Sequence, residues 1–242
     1  MNGPGNHLDH LQRALAHLSS GQPDEALRLL AVIPADSGLH PHVLHLRGIA
    51  YATQGQVSQA IESFEGALPW LADNDEFLAN LARAYSASAR FADALVLLDR
   101  VAAAGKASAI TCSDRAVLLE KMDQDALALE SYEAALRLDA GLSLALAGKA
   151  NLLHKMQRYD EALACHERLR PMQPDNALAI SSRASTLDKL GRMTEALAEH
   201  RQAQALSPGS ARDSQHDAAA GAVRLTSFER SSRRDILEPR EE

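Results

Sequence analysis

Apolar and small positions recur along this chain at one fixed interval. A small residue followed by an aliphatic one stands at Ala26-Leu27, Ala60-Ile61, Ala94-Leu95, Ala128-Leu129, Ala162-Leu163 and Ala196-Leu197, each pair thirty-four residues after the last. A whole stretch returns at the same step, Arg158-Tyr-Asp-Glu-Ala-Leu-Ala164 reappearing as Arg192-Met-Thr-Glu-Ala-Leu-Ala198. A second small column runs through Ala14, Gly48, Ala82, Ala116, Ala150 and Ala184. An unbroken period of this length marks a tandem array, each unit being two helices and a tight turn. Two antiparallel helices approach closely only where side chains are small, which accounts for both columns.

This reading divides the chain into a flexible lead, 1–6, and six units at 7–40, 41–74, 75–108, 109–142, 143–176 and 177–210. Pro34 is expected to end a second helix early, and Pro41 to open the next, where a missing N–H matters least. Pro174-Asp175-Asn176 reads as a turn and cap. Trp70 shares a column with Leu138, Met172 and Leu206 and is expected to pack as a core aromatic at a unit junction. Ala102, Ala103, Ala104 and Gly105 offer little to bury, which marks the following junction as the weakest. Ala218, Ala222 and Leu225 fall at i, i+4 and i+7, predicting a capping helix over 211–228 ahead of a mobile tail, 229–242.

The columns carry a family likeness. Gly48, Tyr51, Gly55, Ala60, Phe64 and Ala67 resemble the tetratricopeptide repeat, as do Ala150, Tyr159, Ala162 and Pro174, and then Ala184, Gly191, Ala196, Ala203 and Pro208. No Trp opens a unit, the aromatic after the central Ala is replaced by Leu30, Leu98, His166 and His200, and the closing Pro is missing from the first four units. The resemblance implies an all-α, right-handed α-solenoid of six helix-turn-helix repeats. It also implies that first helices line a concave groove holding a partner peptide or helix.

Carried onto this sequence, the groove positions are Leu8, Leu11, Leu15 and Leu18, then His42, His45, Leu46 and Ile49, then Glu76, Asn80 and Arg83. Asp114, Val117, Glu120 and Lys121 follow, then Asn151, His154, Lys155, Ser181, Ser182, Ser185, Asp188 and Lys189. The groove reads as apolar at its N-terminal end and polar beyond, with Lys121, Lys155 and Lys189 in one column. The Lys/Asn/Asn/Lys/Arg set with which one variant of the family clamps an acidic chaperone tail is not reproduced by any three adjacent units.

Composition narrows the alternatives. An apolar content of 46% with only 4% aromatic residues suits Ala- and Leu-rich helices better than a β-sandwich. A formal charge of −7 argues against nucleic acid as the default partner. Cys112 and Cys165, far apart and outside any CxxC, read as free thiols of a reducing compartment. With neither a leader pattern nor a long apolar run, the chain is expected in the cytoplasm and off the membrane.

Signals for catalysis are scarce. The sequence has no glycine-rich phosphate loop, no GxSxG and no HExxH, so no cofactor and no catalytic residue is expected. His40, His42 and His45, with His7 and His10 nearby, lack a third ligand type at fixed spacing and read as surface histidines. A basic column, Arg13, Arg47, Arg115, Lys149 and Arg183, is broken at Leu81. Its stems are expected between helices and its heads in solvent or near Glu25, Glu161 and Glu195. The function expected is a non-catalytic scaffold binding another protein, with homodimerisation through the leucines as a further possibility. A rival reading is a regulatory or targeting module for a separate enzyme, such as a glycosyltransferase or sulfotransferase.

Overall fold

The computed structural model describes residues 4–206. Over that span the chain is all helix, turn and loop. The expected capping helix, 211–228, and tail, 229–242, lie outside the described residues. The α-helices are α1 Pro4–Ser19, α2 Pro23–Ala31, α3 His40–Thr53, α4 Val57–Leu71, α5 Asp75–Ala87, α6 Phe91–Ala103, α7 Ala109–Lys121, α8 Asp125–Leu138, α9 Ser143–Lys155, α10 Tyr159–Leu169, α11 Ala177–Lys189 and α12 Met193–Leu206. A 3-10 turn, Arg170–Met172, extends α10.

Two compact units make up this span, one ending at Leu97 and the other beginning at Leu98. In the first, α1 packs on α2 and α3 on α4, while α2 meets α3 and α4 meets α5. In the second, α7 packs on α8, α9 on α10 and α11 on α12, with α8 against α9 and α10 against α11. This is the all-α solenoid class, built by stacking helix-turn-helix pairs.

The turn inside each pair is one device used repeatedly. Gly21, Gly55, Ala89, Asp123, Gln157 and Gly191 all have positive φ, between 55° and 74°. The next residue's N–H donates to the carbonyl five residues back each time: Gln22 to His17, Gln56 to Tyr51, Arg90 to Tyr85, Gln124 to Leu119, Arg158 to Leu153 and Arg192 to Leu187. This left-handed termination satisfies carbonyls that the helix end leaves open. Only three of the six positions are glycine, so the other three hold an L side chain in a region that disfavours it.

Helix starts and stops follow local chemistry. The side chains of Asn74, Ser108 and Asn176 cap α5, α7 and α11 by accepting from Phe77 N–H, Thr111 N–H, and Leu178 and Ala179 N–H. Helix α2 stops at Ala31, ahead of Pro34, and Pro41 lies in the first turn of α3, both as expected.

The small column sits where helices cross. Ala14, Ala116, Ala150 and Ala184 are wholly buried. A Cβ added to Gly48 would fall 2.5 Å from the Phe64 ring, so this glycine leaves room for that buried aromatic. Gly148 does the same for Tyr132 of the preceding helix.

Two expectations are overturned. Trp70 is 61% exposed. It stands in the last turn of α4, after Pro69, in an edge-to-face contact with His40 at 6.2 Å, so it is a surface aromatic rather than core. His45 is buried, packed between Phe64 and Phe77 at 5.9 and 5.3 Å, and is not a surface histidine.

Candidate functional site

Within each unit, successive first helices lie side by side, α1 with α3 and α3 with α5, and α7 with α9 and α9 with α11. Side chains on these helices divide between holding neighbours together and facing out. In the first unit most of the expected groove residues hold neighbours. Leu11 and Leu18 are in the core with Ala14, because that edge of α1 faces α2 and α3 rather than solvent. Only Leu8 and Leu15 of the four leucines keep partial exposure. Leu46 and Ile49 are buried as well. Buried Asn80 reaches His45 of the adjacent first helix, Nδ2 to Nε2, at 3.2 Å, and accepts from Arg83 Nη1 at 2.8 Å. His42 and Arg83 are half-buried. The N-terminal apolar stretch is therefore mostly interior, which corrects its reading as an open binding face.

Burial sets the charge state of His45. Its pKa is lowered to about 3, first by desolvation and then by the neighbouring His42. His166 in α10 is lowered to about 4 by burial, with Arg183 adding to it.

In the second unit the first helices are more open. His154 Nδ1 bonds Thr186 Oγ1 at 3.0 Å, tying α9 to α11. Asn151, Lys121, Lys155 and Lys189 are exposed, and Ser181, Ser182 and Ser185 half-buried. The lysine column is not uniform: Lys155 is held by Asp125 at 2.8 Å and Asp123 at 3.5 Å. At the start of the same helices stand Leu144, 54% exposed, and Leu178, 77% exposed. Sequence reasoning missed both. They lie in the column of Leu8 and His42, and following that column to its end finds them.

Three members of the basic column are held in ion pairs. Arg115 donates to Asp99 at 2.7 Å and to Ser131 at 2.6 Å. Lys149 donates to Glu133 at 2.9 Å. Arg183, nearly buried, donates to Glu167 at 2.7 Å and Glu199 at 2.5 Å. Three carboxylates on second helices thus precede their cations on the next first helix by sixteen residues: 99 to 115, 133 to 149, 167 to 183. Glu161 and Glu195, expected as partners, are instead taken by Arg158 and Arg192 three residues away, and Glu25 by Arg28. Where Leu81 interrupts the column, Glu65 accepts from Tyr85 at 2.9 Å and Arg90 at 3.0 Å.

Among the described residues no group of three His, Cys, Asp or Glu is placed to hold a metal, and no helix is long and apolar enough to cross a membrane. Models of the tetratricopeptide repeat match residues 51–110, and residues 11–77 with 147–211. This chain belongs to the tetratricopeptide repeat family. No curated protein matches it in sequence.

Solved structures similar to this repeat protein include PilW, a widely conserved type IV pilus biogenesis factor, with TM-score 0.77 and 17% identity, covering 84% of this chain and 94% of that one. The Pseudomonas aeruginosa protein pilF has TM-score 0.71 and 20% identity, covering 86% and 94%. YrrB, a tetratricopeptide repeat protein with an unusual peptide-binding site, has TM-score 0.58 and 17% identity, covering 70% and 87%. At such identities the likeness speaks to the fold.

Proposed function

We propose that this tetratricopeptide repeat protein is a non-catalytic interaction module whose α9–α11 surface binds a segment of another protein. The observation that carries this reading is the exposure of Leu144 and Leu178, one period apart at the mouths of neighbouring first helices. Large apolar side chains presented together in this way mark a contact surface. Beside them Asn151, Ser181, Ser182 and Ser185 offer amide and hydroxyl groups that both donate and accept, suited to the backbone of a bound peptide. Family membership supports a protein partner, and YrrB shows that the fold can carry a peptide site.

Peptides selected from a random display library on the purified full chain test the reading. Their affinities are then compared between wild type and Leu144→Asp/Leu178→Asp. Loss of two apolar anchors should weaken binding by roughly tenfold or more while leaving the melting temperature in place. Equal affinities for the two proteins would reject this surface as the site.

A further inference from the structure

The apolar surface at the start of α9 and α11 does not stop at the first helices. Met172, in the 3-10 turn that extends α10, leans back over the start of α9 and is still 43% exposed. Its Sδ meets Ser143 Oγ at 4.0 Å, and its Cε lies 3.7 Å from where a Cβ on Gly141 would stand. Leu144 follows Ser143 directly in α9. Leu138, one period before Met172, closes α8 and is 60% exposed. Leu138, Leu144, Met172 and Leu178 thus gather about two connecting loops, 139–142 and 173–176.

The charges around these loops lean to one sign. Arg137, Arg168 and Arg170 are exposed beside Leu138 and Met172. Arg168 Nη2 donates to the Ala140 carbonyl at 2.9 Å, which ties α10 to the loop before α9 without neutralising the guanidinium. Arg137 and Arg170 have no carboxylate partner among the described residues. Set against them are Asp139, whose Oδ1 accepts from Gly141 N–H at 2.9 Å, and Asp175. On a chain of formal charge −7, a cationic rim around an apolar patch runs against the background.

Size narrows the occupant. Four partly exposed side chains amount to roughly a few hundred Å², the scale of one functional patch. A stable dimer buries about 800 Å² on each partner. A short segment therefore suits this surface better than a second copy of the chain, and the unbranched Met172 can adapt to it.

We propose that the segment bound here is acidic, its apolar side chains seated on Leu138, Leu144, Met172 and Leu178 and its carboxylates against Arg137 and Arg170. This rests on the α9–α11 surface being the site, and adds the chemistry of the partner. Arginine's planar donors match a carboxylate in shape as well as in sign.

Peptides selected on the purified full chain from a random display library are synthesised as found and with every Asp and Glu changed to Asn or Gln. Their affinities are measured by fluorescence anisotropy. The amide forms should bind wild type roughly three- to tenfold more weakly, the span of two exposed ion pairs, with the gap closing at high salt. This comparison uses wild type alone and does not depend on the folding of any variant. Arg137→Glu/Arg170→Glu should lose the preference for the acidic form, and Met172→Asp should weaken both forms. Equal binding of the two forms to wild type, or an acid preference that survives Arg137→Glu/Arg170→Glu, would overturn the acidic partner. Binding that ignores acid content yet falls with Leu144→Asp/Leu178→Asp would do so while leaving the α9–α11 site standing. Acidic peptides that keep their affinity for Leu144→Asp/Leu178→Asp would remove the site itself. Adsorption to phosphatidylserine vesicles that is lost in Arg137→Glu/Arg170→Glu, with no acid preference among peptides, would assign the face to a membrane and overturn the proposal too.

Discussion

Asn80 and His45, on adjacent first helices, share a hydrogen bond in which the ring nitrogen must accept. Arg83 donates to the Asn80 carbonyl oxygen at 2.8 Å, which turns the amide nitrogen toward His45 Nε2 at 3.2 Å. A proton on Nε2 would set two donors against each other inside a pocket walled by Phe64 and Phe77.

The consequence is acid sensitivity with a defined sign. His45 titrates at about 3 in the folded chain against 6.5 for the ordinary side chain. Between those values the unfolded chain holds a proton that the folded one refuses, so stability is full above pH 6.5 and is lost as pH falls toward 3. From pH 7 to pH 5 the loss is on the order of 2 kcal/mol for this residue. His166, lowered by burial to about 4, adds to the loss in the same direction. Urea unfolding of wild type and His45→Leu at the two pH values should show a shallower dependence in the variant. Parallel pH dependence in both would remove His45 from the account.

Two helical glycines should respond to alanine in opposite directions. Gly148→Ala drives a methyl into the Tyr132 ring and hydroxyl, where the ring is held by its bond to Glu120, and should destabilise by about 1–3 kcal/mol. Gly66→Ala meets only the movable end of Leu44 at 3.3 Å and should stabilise by roughly 0.5–1 kcal/mol. Chemical denaturation midpoints give both signs in one series.

The left-handed turn positions make a complementary case. Ala89 and Gln157, both at φ 61°, occupy the site that Gly21, Gly55 and Gly191 fill elsewhere. Ala89→Gly and Gln157→Gly should each stabilise by about 1 kcal/mol, against the usual direction of a glycine substitution. A lowered denaturation midpoint for either would mean that unfolded-chain freedom outweighs relief of the strained φ.

Ion pairs of similar geometry should differ greatly in weight. Arg183→Ala leaves Glu199, itself only 12% exposed at its side chain, without its partner, and should cost about 3 kcal/mol. Arg192→Ala breaks a pair of similar length with Glu195, at 2.7 Å, but both groups are near half exposed, and the melting temperature should hardly move. Thermal melts of the two variants side by side separate the cases.

Much of this was legible in the sequence and some was not, for reasons that individual residues make plain. Gly48 and Phe64 sit where the period puts them because close helix approach leaves no alternative at that crossing. Leu8, Leu11, Leu15 and Leu18 fall on one helical face, yet spacing alone does not say which edge of that face meets α2 and α3, and the structure buries Leu11 and Leu18. Trp70 shares a column with Leu138 and Met172, and all three prove exposed, since the end of a second helix extends beyond its neighbours' cover. The partners of the basic column escaped because the acids sought for Lys149 and Arg183 were Glu161 and Glu195, whereas the contacts run back to Glu133 and Glu167 on the helix before.

The sixteen-residue rung also bears on how such a chain can change length. Because every rung repeats with the full period, excising residues 134–167 would place Glu133 sixteen residues ahead of Arg183, and the contact would re-form between groups that never met before. A deletion that is not a whole number of periods would bring mismatched side chains together. Duplication or loss of whole periods among these three rungs is thus electrostatically silent, and this part of the array carries within its own charges a rule for recombination.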